Sequence, residues 1–287
     1  MNLVTIITAL IDGLLIGVVY GIAAMGLNLI WGVMKVINLA HGALISLGMF
    51  GVYLFFNGVG INPYIALIMV AALGLLMGIL IYYIAIARVI NAPYLSTLLA
   101  TFSINMILIG LGTAMFTTTP RDTGFSLGTI EIGPFNILGT RLVAALITIL
   151  VTALLYAFLY RTNTGKHIRA VSNNRAAAEL MGIPSNRILA LSFGIGTMLA
   201  AIAGALIATF FSFTILSGDV YQQKSFIIGV LGGLGNPLGA LLGGLILGIL
   251  EGALPLAMPN TWVPVIEFVL FIIILLIKPS GLLGDRK

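Results

Sequence analysis

The residues of this 287-residue chain that are equipped for chemistry are few and far apart. Asp12, His41, Glu251 and Glu267 lie within or beside long apolar stretches. An ionisable group in hydrocarbon is expensive, so each is either functional or paired. Asp12, Glu251 and Glu267 fall towards outer helix ends, within reach of water or a docked protein, and His41 towards an inner helix end. No second His, Cys or carboxylate stands at metal spacing from His41, so no metal site is expected. There are no cysteines, which removes disulfides, thiolate ligands and cysteine catalysis. The run Gly232-Gly233-Leu234-Gly235-Asn236-Pro237 is rich in glycine but lacks the Gly-Lys-Ser/Thr ending that puts a lysine on a phosphate, so the chain does not bind ATP by itself. No activated-nucleophile motif is present. The expectation is no catalytic residue, no cofactor and no enzyme.

The elements that must hold these residues are helices in a bilayer. With 60% hydrophobic and 7% charged residues and a mean hydropathy of +1.20, the chain lacks the polar surface of a soluble globule. Apolar runs of spanning length recur at 5–30, 63–87, 93–116, 141–160, 188–212 and 261–277, with shorter ones at 42–56, 225–235 and 237–253. The first run has no small-residue cleavage site behind it and reads as a retained span. The expected fold is an all-α polytopic transmembrane bundle of about 8–9 spans, a single transmembrane domain over 1–287, with broken or re-entrant segments near 31–42 and 229–239. A hairpin or ordered loop suits 117–140, where Thr129-Ile130-Glu131-Ile132 alternates.

The net charge of +5 does not point to nucleic acid, because no Lys/Arg stripe with interleaved aromatics exists. It reports orientation. Lys and Arg accumulate in short cytoplasmic loops, and the segment 161–187 holds Arg161, Lys166, Arg169, Arg175 and Arg187 against one acid, Glu179. Threading outward from it places Lys35, Arg88, Lys278, Arg286 and Lys287 inside and Arg121, Arg141 and Lys224 outside. The N-terminus is then external and the C-terminus cytoplasmic in a multi-pass protein of the cell inner membrane.

Glycines recur every four residues at Gly13, Gly17 and Gly21 and at Gly244, Gly248 and Gly252, with Gly74 and Gly78 a further pair. Such stripes serve either ordinary helix packing or a subunit or substrate-lining face. The interruptions at Trp31–Gly42 and Gly229–Gly239 read either as plain turns or as broken helices lining a cavity, in which case they mark a translocation site and an internal repeat. In 161–187, Asn173 or Asn174 caps a two-turn helix from about Arg175 to Met181, with Gly182 as its left-handed stop and Pro184 beyond. Ala177, Leu180 and Met181 share one face, a small apolar patch in a basic surround.

The run Arg161-Thr162-x-x-Gly165-x-x-x-Arg169-Ala170, then Ala177-Ala178-x-x-x-Gly182-Ile183, resembles the cytoplasmic coupling loop of LivH-type permeases from the branched-chain amino acid ABC importers. Gly26-Leu27-Asn28-Leu29-Ile30-x-Gly32-Val33 leading to Val36-Ile37-Asn38-Leu39-Ala40-His41-Gly42 is similar to that family's N-terminal signature. Gly232-Gly233-x-Gly235-Asn236 with Gly239-Ala240-x-x-Gly243-Gly244 is similar to its C-terminal one. The chain departs from the family pattern at Asn173-Asn174, where acids are common, and at Pro237, two residues before Gly239.

The resemblance implies a permease for branched-chain or related aliphatic amino acids, paired with a second, LivM-like permease. It also implies two LivG/LivF-like ATPase subunits and an external solute-binding protein. It assigns Arg161, Gly165, Arg169, Ala170, Glu179 and Gly182 to coupling with the ATPase, and Asn38, His41, Gly235 and Asn236 to the translocation path. The alternatives are an ABC permease for urea or short-chain amides, and a secondary transporter or channel in which Glu251 and Glu267 carry protons or cations.

Overall fold

The computed structural model describes residues 3–278 and 280–283. Among them, α1 (Leu3–Met34), α2 (His41–Tyr53, prolonged by a π turn to Gly58), α3 (Pro63–Ile81), α4 (Ala87–Val89) and α5 (Tyr94–Phe116) precede an antiparallel hairpin of β1 (Thr129–Ile132) and β2 (Phe135–Leu138). Then come α6 (Gly139–Arg161), α7 (Asn163–Asn173), α8 (Arg175–Leu180), α9 (Ser185–Ile207), α10 (Ser217–Gly232), α11 (Pro237–Ala253) and α12 (Val263–Ile277). Eight of the helical segments are long and apolar enough to cross a membrane. The bundle is therefore all-α and polytopic, as the hydropathy predicts.

Contacts at the helix ends sort the molecule into two faces. On one lie the hairpin, the start of α1, through the Asp12–Arg141 ion pair of 3.1 Å, and residues 208–213, through the Thr123 hydroxyl on the Ala208 carbonyl and the Arg121–Phe213 bridge. On the other lie α7 and α8, the end of α1, through Ser172 on the Gly32 carbonyl, and Asn91, through Arg175. Between these faces the described chain passes nine times, the 16-residue α10 supplying the ninth.

Local chemistry starts these helices. Asn62 accepts from the Tyr64 amide with Pro63 in the first turn of α3; Asn236 accepts from the Leu238 and Gly239 amides with Pro237 in the first turn of α11. Both pairs satisfy amides that a helix N-terminus leaves unpaired. The glycine stripes find each other: Gly13, Gly17 and Gly21 lie along Ala240, Gly244 and Gly248, so α1 and α11 run antiparallel. A Cβ on Gly17 would stand 2.9 Å from the Gly248 Cα, so the stripe is a backbone-to-backbone contact inside this chain. In the same way Gly74 and Gly78 of α3 meet Gly194, Thr197 and Ala201 of α9.

Both predicted breaks exist, at 35–40 and 233–236. The segment that repeats the first break in the architecture is nevertheless 208–216, which hydropathy passes over. A long helix, a break, a short helix and two spanning helices occur as α1, α2, α3, α5 and again as α9, α10, α11, α12. The first helix of each set packs against the third of the other. The short helices α2 and α10 meet at their N-termini, where Gly42 touches Gly218. The caps are reciprocal: the Gly42 amide donates to Gln222 Oε1 at 2.8 Å and the Gly218 amide to Ser46 Oγ at 2.8 Å.

Three expectations need correcting. Lys224, placed in an external loop, sits in α10 and is only 8% exposed. His41, placed at an inner helix end, starts α2 against the Ala23 carbonyl, eleven residues or about 16 Å before the end of α1, roughly mid-depth in a 30 Å hydrocarbon layer. The segment 163–173, read as loop, is α7. Arg286 and Lys287 lie outside the described residues.

Candidate functional site

The loop between α6 and α9 is built in two pieces. Thr162 leaves α6 extended and its hydroxyl accepts from the Gly165 amide at 3.0 Å, starting α7. A Cβ on Gly165 would stand 2.6 Å from the Leu159 Cα, so only glycine allows this corner. Ile168 and Val171 turn inward, Ser172 Oγ donates to the Gly32 carbonyl at 2.8 Å, and the Arg169 guanidinium lies 4.5 Å from the Tyr160 ring centroid. Helix α7 is thereby fastened to the end of α1. The threonine cap and the spacing of Gly165, Ile168 and Val171 were the signals that could have revealed it.

Helix α8 follows the sequence reading closely. Asn174 Oδ1 accepts from the Ala177 amide at 3.0 Å, and Gly182 ends the helix at φ +79°. Arg175 pairs with Glu179 at 3.0 Å and donates to Asn91 Oδ1 at 3.2 Å. Ala178 faces inward, whereas Leu180 and Met181 are 88% and 82% exposed. Of the residues assigned to coupling, Gly165, Arg169 and Ala170 belong to the α7 attachment and Gly182 shapes the stop. Arg161 and Glu179 are exposed. The exposed apolar tip of this element, Leu180 and Met181, was not among them.

The four path residues divide into two places. Asn38 and His41 are fully buried at the first break. Asn38 Oδ1 accepts from the Ala40 amide at 3.1 Å, and His41 Nε2 lies 2.9 Å from the Ala23 carbonyl. A carbonyl can only accept, so in the neutral ring Nε2 carries the proton and Nδ1 is an acceptor. Gly235 and Asn236 lie instead on the α8 face, in the turn before α11. There Gly235, at φ +88°, abuts Gly32, and Asn236 donates to the Leu283 carbonyl at 3.2 Å. They close a turn against α1 and do not join Asn38 and His41.

The family model for the branched-chain amino acid transport system / permease component matches residues 9–275. The chain belongs to this permease family. The permease is 29% identical over 288 residues to the high-affinity branched-chain amino acid transport system permease protein LivH of Escherichia coli K12, covering 95% of this chain and 94% of that one. It is 28% identical over 296 residues to the corresponding protein BraD of Pseudomonas aeruginosa, covering 96% and 94%. It is also 29% identical over 180 residues to the ribose import permease protein RbsC of Escherichia coli K12, covering 61% and 54%. No solved structure matches it. Family membership makes the chain a multi-pass inner-membrane permease subunit of an ABC importer, a transport component and not itself an enzyme, working with further ABC components.

The acids within or beside the spans, Asp12, Glu251 and Glu267, are paired. Asp12 holds Arg141, and Lys224 bridges Glu251 Oε2 at 2.8 Å and Glu267 Oε1 at 2.9 Å. The Tyr20 hydroxyl donates to Glu251 Oε1 at 3.2 Å. Glu251 and Glu267 therefore serve one lysine, and the proton-carrier alternative loses its free carboxylates. Among the described residues no group of three or more His, Cys, Asp and Glu could hold a metal ion.

Proposed function

We propose that the chain forms one permease domain that moves branched-chain or related aliphatic amino acids inward, with α7–α8 as the coupling element. The observation that carries this is the α8 tip. Exposed Leu180 and Met181 stand on a helix too short to be stable alone, yet fastened through Arg175 to Asn91 and through α7 to the end of α1. An apolar tip on a rigid mount transmits a push from a partner, and the partner that fits is an ATPase subunit, since this chain has no nucleotide loop. A second permease subunit, two ATPases and an external binding protein complete the proposed machine. The α8 face is assigned to the cytoplasm because, among the described residues, Lys35, Arg88, Arg161, Lys166, Arg169, Arg175, Arg187 and Lys278 lie on it and only Arg121 and Arg141 on the hairpin face. That assignment puts the N-terminus outside and the C-terminus inside.

The test is reconstitution in vesicles with ATPases and binding protein, and uptake of labelled leucine, isoleucine, valine and urea with and without ATP. Leucine, isoleucine or valine uptake that requires ATP is expected. Uptake of urea alone would replace the substrate assignment, and uptake without any ATPase would overturn the coupling.

A further inference from the structure

Three buried polar atoms near the first break have no hydrogen-bond partner: Asn38 Nδ2, His41 Nδ1 and Asn105 Oδ1. Their residues are 0%, 0% and 7% exposed, and a polar group buried without a partner needs an explanation. Asn105 belongs to α5, where Thr97, Thr101 and Asn105 follow at four-residue spacing on one buried face. The Thr101 hydroxyl donates to the Ile37 carbonyl at 3.2 Å. Further along, Phe116 of α5 stacks on Phe50 of α2 with centroids 4.3 Å apart. Between those two contacts α5 and the segment 37–50 advance in the same direction. Asn105 stands one turn, about 5–6 Å, beyond Thr101, and so faces the stretch that carries Asn38 and His41.

The first amides of α2 are not the attraction here, because Asn38 Oδ1 takes the Ala40 amide and Gln222 the Gly42 amide. What is unspent is one donor, on Asn38, and two acceptors, on His41 and Asn105. An α-amino acid presents the complement: carboxylate oxygens that accept and an ammonium that donates. The Asn38 and Asn105 amides carry no charge, which suits a zwitterion that must be released again. We infer that Asn105 joins Asn38 and His41 in a mid-membrane site for the zwitterionic end of an α-amino acid, with Asn105 and His41 receiving the ammonium and Asn38 the carboxylate. This rests on the proposed reading of the chain as an amino-acid permease.

The experiment compares wild type, Asn105→Leu and Asn105→Ser in the complete importer in vesicles, measuring labelled leucine taken up and ATP hydrolysed. In Asn105→Leu, leucine moved per ATP should fall at least tenfold while hydrolysis stimulated by loaded binding protein continues. Asn105→Ser, which keeps an acceptor, should recover part of the ratio. An unchanged ratio in Asn105→Leu, with the three atoms holding water only, overturns the site; so does a parallel loss of uptake and hydrolysis that Asn105→Ser shares, the signature of a purely structural residue. If Asn105→Leu does not assemble, an unchanged ratio in Asn105→Ser together with an unchanged ratio in Asn38→Ser overturns it, and a lowered ratio in both supports it. Wild type that moves urea and no leucine refutes the underlying reading instead.

Discussion

Replacing Lys224 by methionine should destabilise the permease more than any surface change, and the structure says why. The ammonium lies 2.8 Å from one Glu251 oxygen and 2.9 Å from one Glu267 oxygen, with side-chain exposures of 10%, 26% and 4% respectively. Methionine keeps the volume of the stem but leaves two carboxylates facing each other without a counter-charge. Removing one partner of a buried ion pair typically costs about 3–5 kcal/mol, because the remaining charge stays desolvated. Here most of that cost falls on Glu267, since Glu251 is a quarter exposed and keeps the Tyr20 hydroxyl. At about 2–4 °C per kcal/mol for a large domain, Tm in detergent should fall by roughly 6–20 °C. Two further variants assign the cause. Glu267→Gln added to Lys224→Met removes the stranded charge and should restore most of the loss, whereas Glu251→Gln alone should cost about 1 kcal/mol. Equal destabilisation of Lys224→Met and Lys224→Met/Glu267→Gln would refute the reasoning, because the loss would then come from packing and not from an uncompensated carboxylate.

Three other outcomes follow from the geometry. Leu180→Ser with Met181→Ser should reduce ATP-driven uptake at least tenfold with no change in Tm, since both side chains are exposed; co-purification with the ATPase subunits reads the lost contact directly, and full uptake would remove α8 from the coupling path. Gly182→Pro or Arg169→Glu should abolish uptake while membrane insertion persists, the first because it destroys the left-handed stop at φ +79° and the second because it reverses the charge against Tyr160; ATP-dependent uptake at wild-type rate in both variants counts against the loop. Gly248→Leu should prevent α1 and α11 from closing, at a cost of about 3 kcal/mol or more, because its Cβ would enter the backbone at Gly13 and Gly17; thermal melting checks it.

What was legible in the sequence was what the bilayer imposes on each segment separately. Span length, the capped α8 with its glycine stop, the hairpin at 129–138 and the glycine stripes all follow from neighbours along the chain. The partners of those stripes did not, because Gly13, Gly17 and Gly21 meet a helix some 230 residues later. Helix α7 was missed because its inward face is small, consisting of Gly165, Ile168 and Val171, and its attachment to the Gly32 carbonyl is a tertiary event.

Lys224 shows the limit most clearly. Counting charges treats a lysine flanked by Asp219, Gln222 and Gln223 as loop, since a helix buried on that face would have to hide four polar side chains. The fold removes the objection for two of them: Gln222 caps the Gly42 amide of the opposing short helix and Lys224 satisfies two glutamates. The polar residues that made α10 look unlike a membrane segment are thus the ones that join the two halves and hold α11 and α12 to them. The break at 208–216 was hidden for the same reason. Hydropathy scores each residue against lipid, but the residues of a break that turns back into the membrane face protein, so both their polarity and their position become interpretable only once the reciprocal contact of α2 and α10 is seen.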